Sequence, residues 1–355
     1  MARSVSGDRL TLVAALPSRT RQPGARRPPR GSARSWRSNM QVPIIDLNPL
    51  LRSEPDGRQH VMQQLQDAHT GVGFSILVNH GVPADIVDAL FAASRRFHAW
   101  PLACKMAMRY STALRGYLPL STSTLQASTL GAATRPNHSD SFVVLEDLPE
   151  PLRPNWERSA MGGMQPWPDI GGFEHAARQY RRAMIELGRT LLPCFAAMLG
   201  LPPDGLDDHF RTPNPILRLL HYPAVPHRDP DLFGSAPHTD YGCLTFVAQD
   251  DVGGLQVRSD QGRWFDVPVV TNSLVLNTGQ VIAGWSGGRI KATPHRVLNP
   301  EGTDRYSIAF FYDCRLDTPL DLGATPASQS TQTYGGHLEA ILRKNYAFVD
   351  ADRGA

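Results

Sequence analysis

Past residue 40 the chain moves between two hydrophobic rhythms. The first third predicts mixed α/β structure: a short strand over 44–47, a polar-faced helix over 57–70 ending near Gly71, and a second strand over 73–78 closed by Asn79-His80-Gly81. Pro83 then opens a helix whose Ile86, Leu90, Ala93 and Phe97 follow the 3.6-residue period. Residues 111–140, rich in Ser, Thr, Gly and Ala, carry little periodicity and read as a long loop of the kind that lines binding sites. The strongest helical pattern covers 174–199, where Tyr180, Met184, Leu187, Leu191, Phe195 and Met198 form one apolar stripe. Pro193 is expected to kink its last turn, and Gly200 to stop it.

After Pro213 the rhythm changes to short β-runs broken by Gly, Pro, Asn and Asp, over 216–222, 243–248, 255–257, 264–267, 274–277, 296–298 and 306–312. Short strands at such spacing predict a closed or double-sheet β unit. A helix over 334–346 completes the pattern. The fold class is therefore mainly β with flanking helices, an α+β arrangement. Its expected divisions are an extension over 1–39, an N-terminal α/β region over 40–150, a backing helix region over 151–212, a β core over 213–320 and a C-terminal helix over 321–355.

Composition changes this picture at one place. Residues 1–39 hold nine arginines and one acid, Asp8, and are too polar to bury a core. Three readings stand for this opening: an Arg-rich targeting peptide, a basic arm for an anionic surface, or sequence upstream of a start at Met40. Patterned sequence beginning at Gln41 favours the last. The rest of the chain has 27 basic and 32 acidic residues, so the overall +3 hides a mildly acidic body with no electrostatic case for nucleic acid. No run of 18 apolar residues predicts a membrane span. Cys104, Cys194, Cys243 and Cys314 lack CxxC spacing, which fits a reducing, cytoplasmic setting. The expected partner is a small molecule, met by a monomer.

His-x-Asp occurs three times, as His138-Ser139-Asp140, His227-Arg228-Asp229 and His238-Thr239-Asp240. Residues i and i+2 of a strand share a face and can reach one ion. Pro226 and Pro230 bracket the second triplet, which reads as a solvated turn. The first lies at the edge of the polar loop, where a surface or substrate-loop role is expected. The third directly precedes the β-run Tyr241-Gly242-Cys243-Leu244-Thr245-Phe246-Val247 and is the best metal candidate. A third ligand is expected from a neighbouring strand, and His295 in Thr293-Pro294-His295-Arg296-Val297 fits. Asn299-Pro300-Glu301-Gly302 then suggests a hairpin bringing Arg305 opposite Arg296. Two imidazoles and one carboxylate leave three positions of an octahedral ferrous ion open, enough for a bidentate 2-oxo acid and dioxygen. Arg305 and Ser307, again i and i+2, suit a carboxylate clamp, and Tyr222 can add a hydroxyl.

These segments resemble the 2-oxoglutarate/iron(II)-dependent dioxygenase superfamily, in its isopenicillin-N-synthase-like branch. The matching residues are Val42-Pro43-Ile44-Ile45-Asp46-Leu47, Gly73-Phe74, Asn79-His80-Gly81-Val82-Pro83, Met164-Gln165-Pro166-Trp167-Pro168, His238-Thr239-Asp240-Tyr241-Gly242, Gln249-Asp250, Gly253-Gly254-Leu255-Gln256-Val257, Trp285, Pro294-His295-Arg296-Val297 and Arg305-x-Ser307, spanning 41 to about 350. The resemblance implies a double-stranded β-helix (jelly-roll) core. It also implies Fe(II) on His238, Asp240 and His295, with 2-oxoglutarate held by Arg305, Ser307 and Tyr222 and O2 as the second cosubstrate. The implied reaction is hydroxylation of a C–H bond of a small metabolite, with release of succinate and CO2. Oxidase-like ring closure, desaturation or ethylene formation is the alternative within the branch, and a non-redox metal- or ligand-binding β-barrel the alternative outside it. One departure stands out: the family's Asn-x-Gly-Asp is Asn277-Thr278-Gly279-Gln280 here, which bears on contacts around the ligands.

Other chemistry-bearing residues have plainer readings. His80 and His221 are expected to be structural, Gly253-Gly254 a turn, and Cys243 a packing residue. Arg115, Arg135 and His138 in the polar loop are candidates to meet an anionic substrate, and a carboxylate-bearing metabolite is the expected class.

Overall fold

The structure is a computed structural model describing residues 41–111, 114–125, 130, 135–146, 163–227, 229–322 and 332–345. The basic opening and all of 147–162 lie outside the described residues. Twelve described strands form two sheets. The larger has eight strands in the order β1 (Ile44–Asp46), β2 (Phe74–Val78), β10 (Leu274–Thr278), β7 (Leu244–Gln249), β12 (Arg305–Asp313), β5 (Asn214–Tyr222), β4 (Asp140–Val144) and β3 (Gly116–Leu118). The smaller has four, in the order β6 (Phe233–His238), β11 (His295–Leu298), β8 (Leu255–Arg258) and β9 (Trp264–Asp266). The chain passes repeatedly between the sheets, which is the jelly-roll expected.

Strand alternation explains why two cores form. On β12, Ile308, Phe310 and Tyr312 face a helical layer made of α2 (Gly57–Gly71), α3 (Ala84–His98) and α5 (Phe173–Met198). Its alternate residues Ala309 and Phe311 face the second sheet and join Phe74, Leu220, Tyr222, Leu255, Val257 and Val297 in an inner core. α5 presents its predicted stripe to the outer core and continues through Pro193 to Met198. It lies so close that a Cβ on Gly188 would sit 2.6 Å from the Tyr312 ring, so glycine is required there. The remaining helices among the described residues are α1 (Asn48–Leu51), α4 (Leu102–Met106), α6 (Gln280–Trp285) and α7 (Tyr334–Asn345). Among the described residues no helix is long and apolar enough to cross a membrane.

Two sequence expectations change. Residues 295–312 are not a hairpin: β11 pairs with β6 and β8 in the small sheet, whereas β12 pairs with β5 and β7 in the large one. Arg305 therefore stands opposite Tyr222, not Arg296. The turn at 299–302 carries the chain from one sheet to the other, a jump that local pattern does not distinguish from a tight return. Secondly, the polar loop contains β3, and its far edge leads into β4, which puts Asp140 inside the protein.

Candidate metal centre and cosubstrate pocket

β6 and β11 pair so that His238 and His295 are direct cross-strand partners. Their rings are 4.2 Å apart, centre to centre. His238 ends β6, and two residues later the chain turns Asp240 back toward the same point, so its placement comes from the loop rather than from strand alternation. One ligand atom from each of the three residues lies within 4.8 Å of the others, the only such group among the described residues. Asp240 Oδ1 is 3.7 Å from Nε2 of both histidines.

The surroundings settle which atoms face that point. His238 donates from Nδ1 to Ala236 O at 2.8 Å, and His295 from Nδ1 to Thr293 O at 3.2 Å. A carbonyl can only accept, so each Nδ1 carries a proton and Nε2 is the nitrogen left to face the centre. Thr245 Oγ1 (2.6 Å) and Asn277 Nδ2 (2.7 Å) donate to Asp240 Oδ2, leaving Oδ1 for the centre. Burial and the neighbouring His295 pull the His238 imidazole down to about 4, so it is neutral at physiological pH. Burial alone would raise the Asp240 carboxyl, but the two histidines and its two donors outweigh that and hold it below the usual range. Two imidazole nitrogens and an ionised carboxylate suit a divalent cation.

A second feature lies deeper between the sheets. Arg305, Ser307 and Tyr222 are all buried, and the Arg305 guanidinium stacks over the Tyr222 ring at 4.7 Å. Tyr222 Oη and Ser307 Oγ are 3.4 Å apart. Gly234 on β6 makes room for this ring, since a Cβ there would lie 2.5 Å from Tyr222 Cδ1. Arg305 donates from Nη2 to Gln249 Oε1 at 3.1 Å, but its buried Nε and Nη1 have no hydrogen-bond partner. Both atoms of the neighbouring buried Asn299 amide are likewise unpartnered. A buried guanidinium with two unsatisfied N–H sites is costly unless an anion completes it. The pocket thus fits the distal carboxylate of a 2-oxo diacid.

Comparison with known proteins agrees. The sequence profile of the 2OG-Fe(II) oxygenase superfamily matches residues 213–313, and that of the non-haem dioxygenase N-terminal region, named for morphine synthesis, matches 42–170. The 2-oxoglutarate-dependent dioxygenase citB of Monascus ruber is 32% identical over 86% of this chain and 95% of its own length. The chain belongs to the 2OG-Fe(II) oxygenase superfamily. A full-length Neurospora crassa protein solved in complex with alpha-KG superposes on this oxygenase with a TM-score of 0.72 at 25% identity, over 85% of this chain and 95% of that one. JOX2, solved with 2OG, Fe and JA, gives 0.70 at 26% identity, over 88% of each chain.

Other predicted residues of the oxygenase fall elsewhere. Asp140 is not at a surface loop: it is buried in β4, accepting from Tyr117 Oη (2.9 Å) and His221 Nδ1 (2.7 Å), with Lys105 at 3.6 Å. His138 is half-buried, and His227 is exposed. Arg135 pairs with Asp229 at 2.6 Å on the surface. Arg115 is buried and donates to Gly163 O. His221 lies in the Asp140 cluster, and His80 accepts from Val82 N at 3.2 Å. Cys243 packs in the outer core.

Gln249, Asn277 and Asp313 have contacts that no sequence pattern marks directly. The first two lie within recognisable motifs, and alternation from Arg305 and Thr245 across paired strands points to them. Asp313 had no local signal. It is buried at the end of β12, accepting from Cys243 N and Tyr334 Oη, both at 2.6 Å. A Cβ on Gly242 would collide with its Oδ1 at 2.0 Å. Burial pushes the Asp313 carboxyl up to about 7.

Proposed function

We propose that His238, Asp240 and His295 hold ferrous iron, that Arg305, Ser307 and Tyr222 hold 2-oxoglutarate, and that the protein hydroxylates a C–H bond of a small metabolite. The observation that carries this reading is the pairing of two sites: a converging His-Asp-His group, and a buried arginine whose Nε and Nη1 are unpartnered. When bound, the iron and 2-oxoglutarate supply the oxidation of the C–H bond with O2, leaving succinate and CO2. The chain does the rest. Asn277 and Thr245 fix which Asp240 oxygen turns to the metal, and the Nδ1–H bonds of the two histidines fix their tautomers. Arg305, held by Gln249 and stacked on Tyr222, fixes the depth at which a diacid stops. The apolar inner core around it excludes water from the reacting end.

That the relatives act on small molecules supports a metabolite as substrate, and the absence of a basic body argues against nucleic acid. We propose a monomer in the cytoplasm. The test is stoichiometry: product formed should equal succinate released, and Asp240→Ala should abolish both together with iron binding. Turnover without succinate would favour oxidase-like chemistry; activity retained in Asp240→Ala would defeat the assignment.

A further inference from the structure

The oxygenase reading gives no task to the buried amide of Asn299. We propose that Asn299 is a further residue of the cosubstrate pocket, its Nδ2 donating to the distal carboxylate of 2-oxoglutarate beside Arg305. This role rests on the oxygenase reading of the adjoining metal site and adds a residue on which the choice of a diacid depends.

The crossing between the sheets sets the position of Asn299. It is the first residue past β11 and only 2% exposed. Leu298 N donates to Gly254 O and Val225 N to Pro300 O, both at 2.9 Å, so the chain is fixed on either side of it. The second bond ties the turn to the segment that leaves β5 just after Tyr222. A Cβ on Gly234 would meet Asn299 Oδ1 at 2.8 Å and Tyr222 Cδ1 at 2.5 Å. The amide therefore lies beside the ring over which the Arg305 guanidinium is stacked. A Cβ on Gly254 would likewise lie 3.1 Å from Leu298 O and 4.0 Å from Arg305 Cδ, which puts the backbone entering Asn299 next to the Arg305 stem.

A purely structural role does not account for this side chain. An asparagine before a proline commonly shapes the turn itself, its Oδ1 accepting from a backbone N–H two residues on. Here neither Oδ1 nor Nδ2 has a hydrogen-bond partner among the described residues. A buried amide left unmatched is less favourable than an apolar side chain of its size, so packing alone does not call for asparagine. Around Tyr222 three nitrogens then await acceptors: Arg305 Nε, Arg305 Nη1 and Asn299 Nδ2. A single water has too few lone pairs for all three, whereas an ionised carboxylate only accepts and has enough. Oδ1 faces Gly234 and the ring edge, leaving the NH2 end for the ligand.

The experiment titrates the whole chain, loaded with Fe(II) without oxygen, with 2-oxoglutarate and separately with 2-oxobutyrate, reading the visible charge-transfer band. Both acids chelate through the same 2-oxo carboxylate end, but 2-oxobutyrate has no distal carboxylate. Asn299→Leu, of similar volume, should weaken 2-oxoglutarate about 10- to 100-fold, the range for one hydrogen bond to a charged group. Its 2-oxobutyrate titration should match that of wild type. Asn299→Ala, where a water can enter, should show a smaller loss confined to the same acid, and it carries the test if the leucine variant does not fold. An unchanged 2-oxoglutarate affinity in the folded variants would overturn the inference, because the amide would then not touch the cosubstrate. An equal loss for both acids would overturn it too, by showing that Asn299 only supports the fold. A wild type that gives no band with 2-oxoglutarate would instead sink the oxygenase reading, and this inference with it.

Discussion

In the proposed centre Asp240 has one oxygen to offer a metal, because Thr245 and Asn277 occupy the other. Removing either donor should loosen the carboxylate without deleting a ligand. Asn277→Leu is expected to lower iron affinity about 10- to 100-fold, the usual cost of losing a hydrogen bond to a ligand, as read by competition with a chelating dye. The departure at Gln280 is handled locally: its side chain donates to Thr239 Oγ1 at 2.8 Å and its backbone N–H to the Asp240 main-chain carbonyl at 2.9 Å, so residue 280 still braces the backbone that carries Asp240. Arg305→Met should weaken 2-oxoglutarate binding by about 10- to 100-fold, from the loss of charge-assisted bonds, and leave iron binding intact. Equilibrium dialysis with labelled 2-oxoglutarate reads the first effect. At this scale the sequence was informative, because His238, Asp240, His295 and Arg305 each announce their chemistry. Asn277 and Gln249 did not, since an amide is ordinary until its partner is known.

The C-terminal helix α7 is tied to the metal loop at both ends. Tyr334 reaches Asp313, which holds Cys243 N, and Asn345 Nδ2 donates to Tyr241 Oη at 2.9 Å. Burial raises the Asp313 carboxyl from its unfolded value of 3.8 to about 7, so the folded chain holds a proton that the unfolded chain releases. Its contribution to stability is therefore greatest below pH 4 and declines as pH rises to about 7. Asp313→Asn should remove that decline, measured as denaturation midpoints across pH 4–8. Gly188→Ala should destabilise by about 1–3 kcal/mol through overpacking on Tyr312, read in the same assay. Periodic elements such as α3, α5 and most β-runs were legible. β6 was not, because Phe233-Gly234-Ser235-Ala236-Pro237-His238 has too few apolar side chains to read as a strand. The false hairpin at 295–312 failed for a different reason: turn residues report a reversal of direction, not the sheet to which the returning strand belongs.

Across the whole molecule, a polar cluster joins the N-terminal layer to the barrel. His221 is held between Asp140 (2.7 Å) and Asp304 (3.1 Å), with its ring stacked on Tyr306 at 4.8 Å and His98 nearby. Burial opposes its charge, but the two carboxylates outweigh that and raise its pKa above 6.5. Burial also opposes the charge on Asp140, yet His221 and its other partners hold that carboxyl below 3.8. The His221 contribution is thus full below pH 6.5 and lost as pH climbs through its raised value; the Asp140 contribution is full above pH 3.8 and lost in acid. His221→Gln should therefore cost more stability at pH 6 than at pH 9, and equal losses at both would show that His221 is uncharged. No sequence pattern marks this cluster, since its members come from four separate elements and the turn before β12.

The proposed chemistry needs one composite site, in which iron and a diacid bind together between the two sheets. Its most direct measurement is the visible absorption of the protein mixed anaerobically with ferrous ion and 2-oxoglutarate. A weak metal-to-ligand charge-transfer band should appear only when both are present, and should vanish in His295→Ala. A colourless mixture that instead binds zinc stoichiometrically, or a band unchanged in His295→Ala, would contradict it.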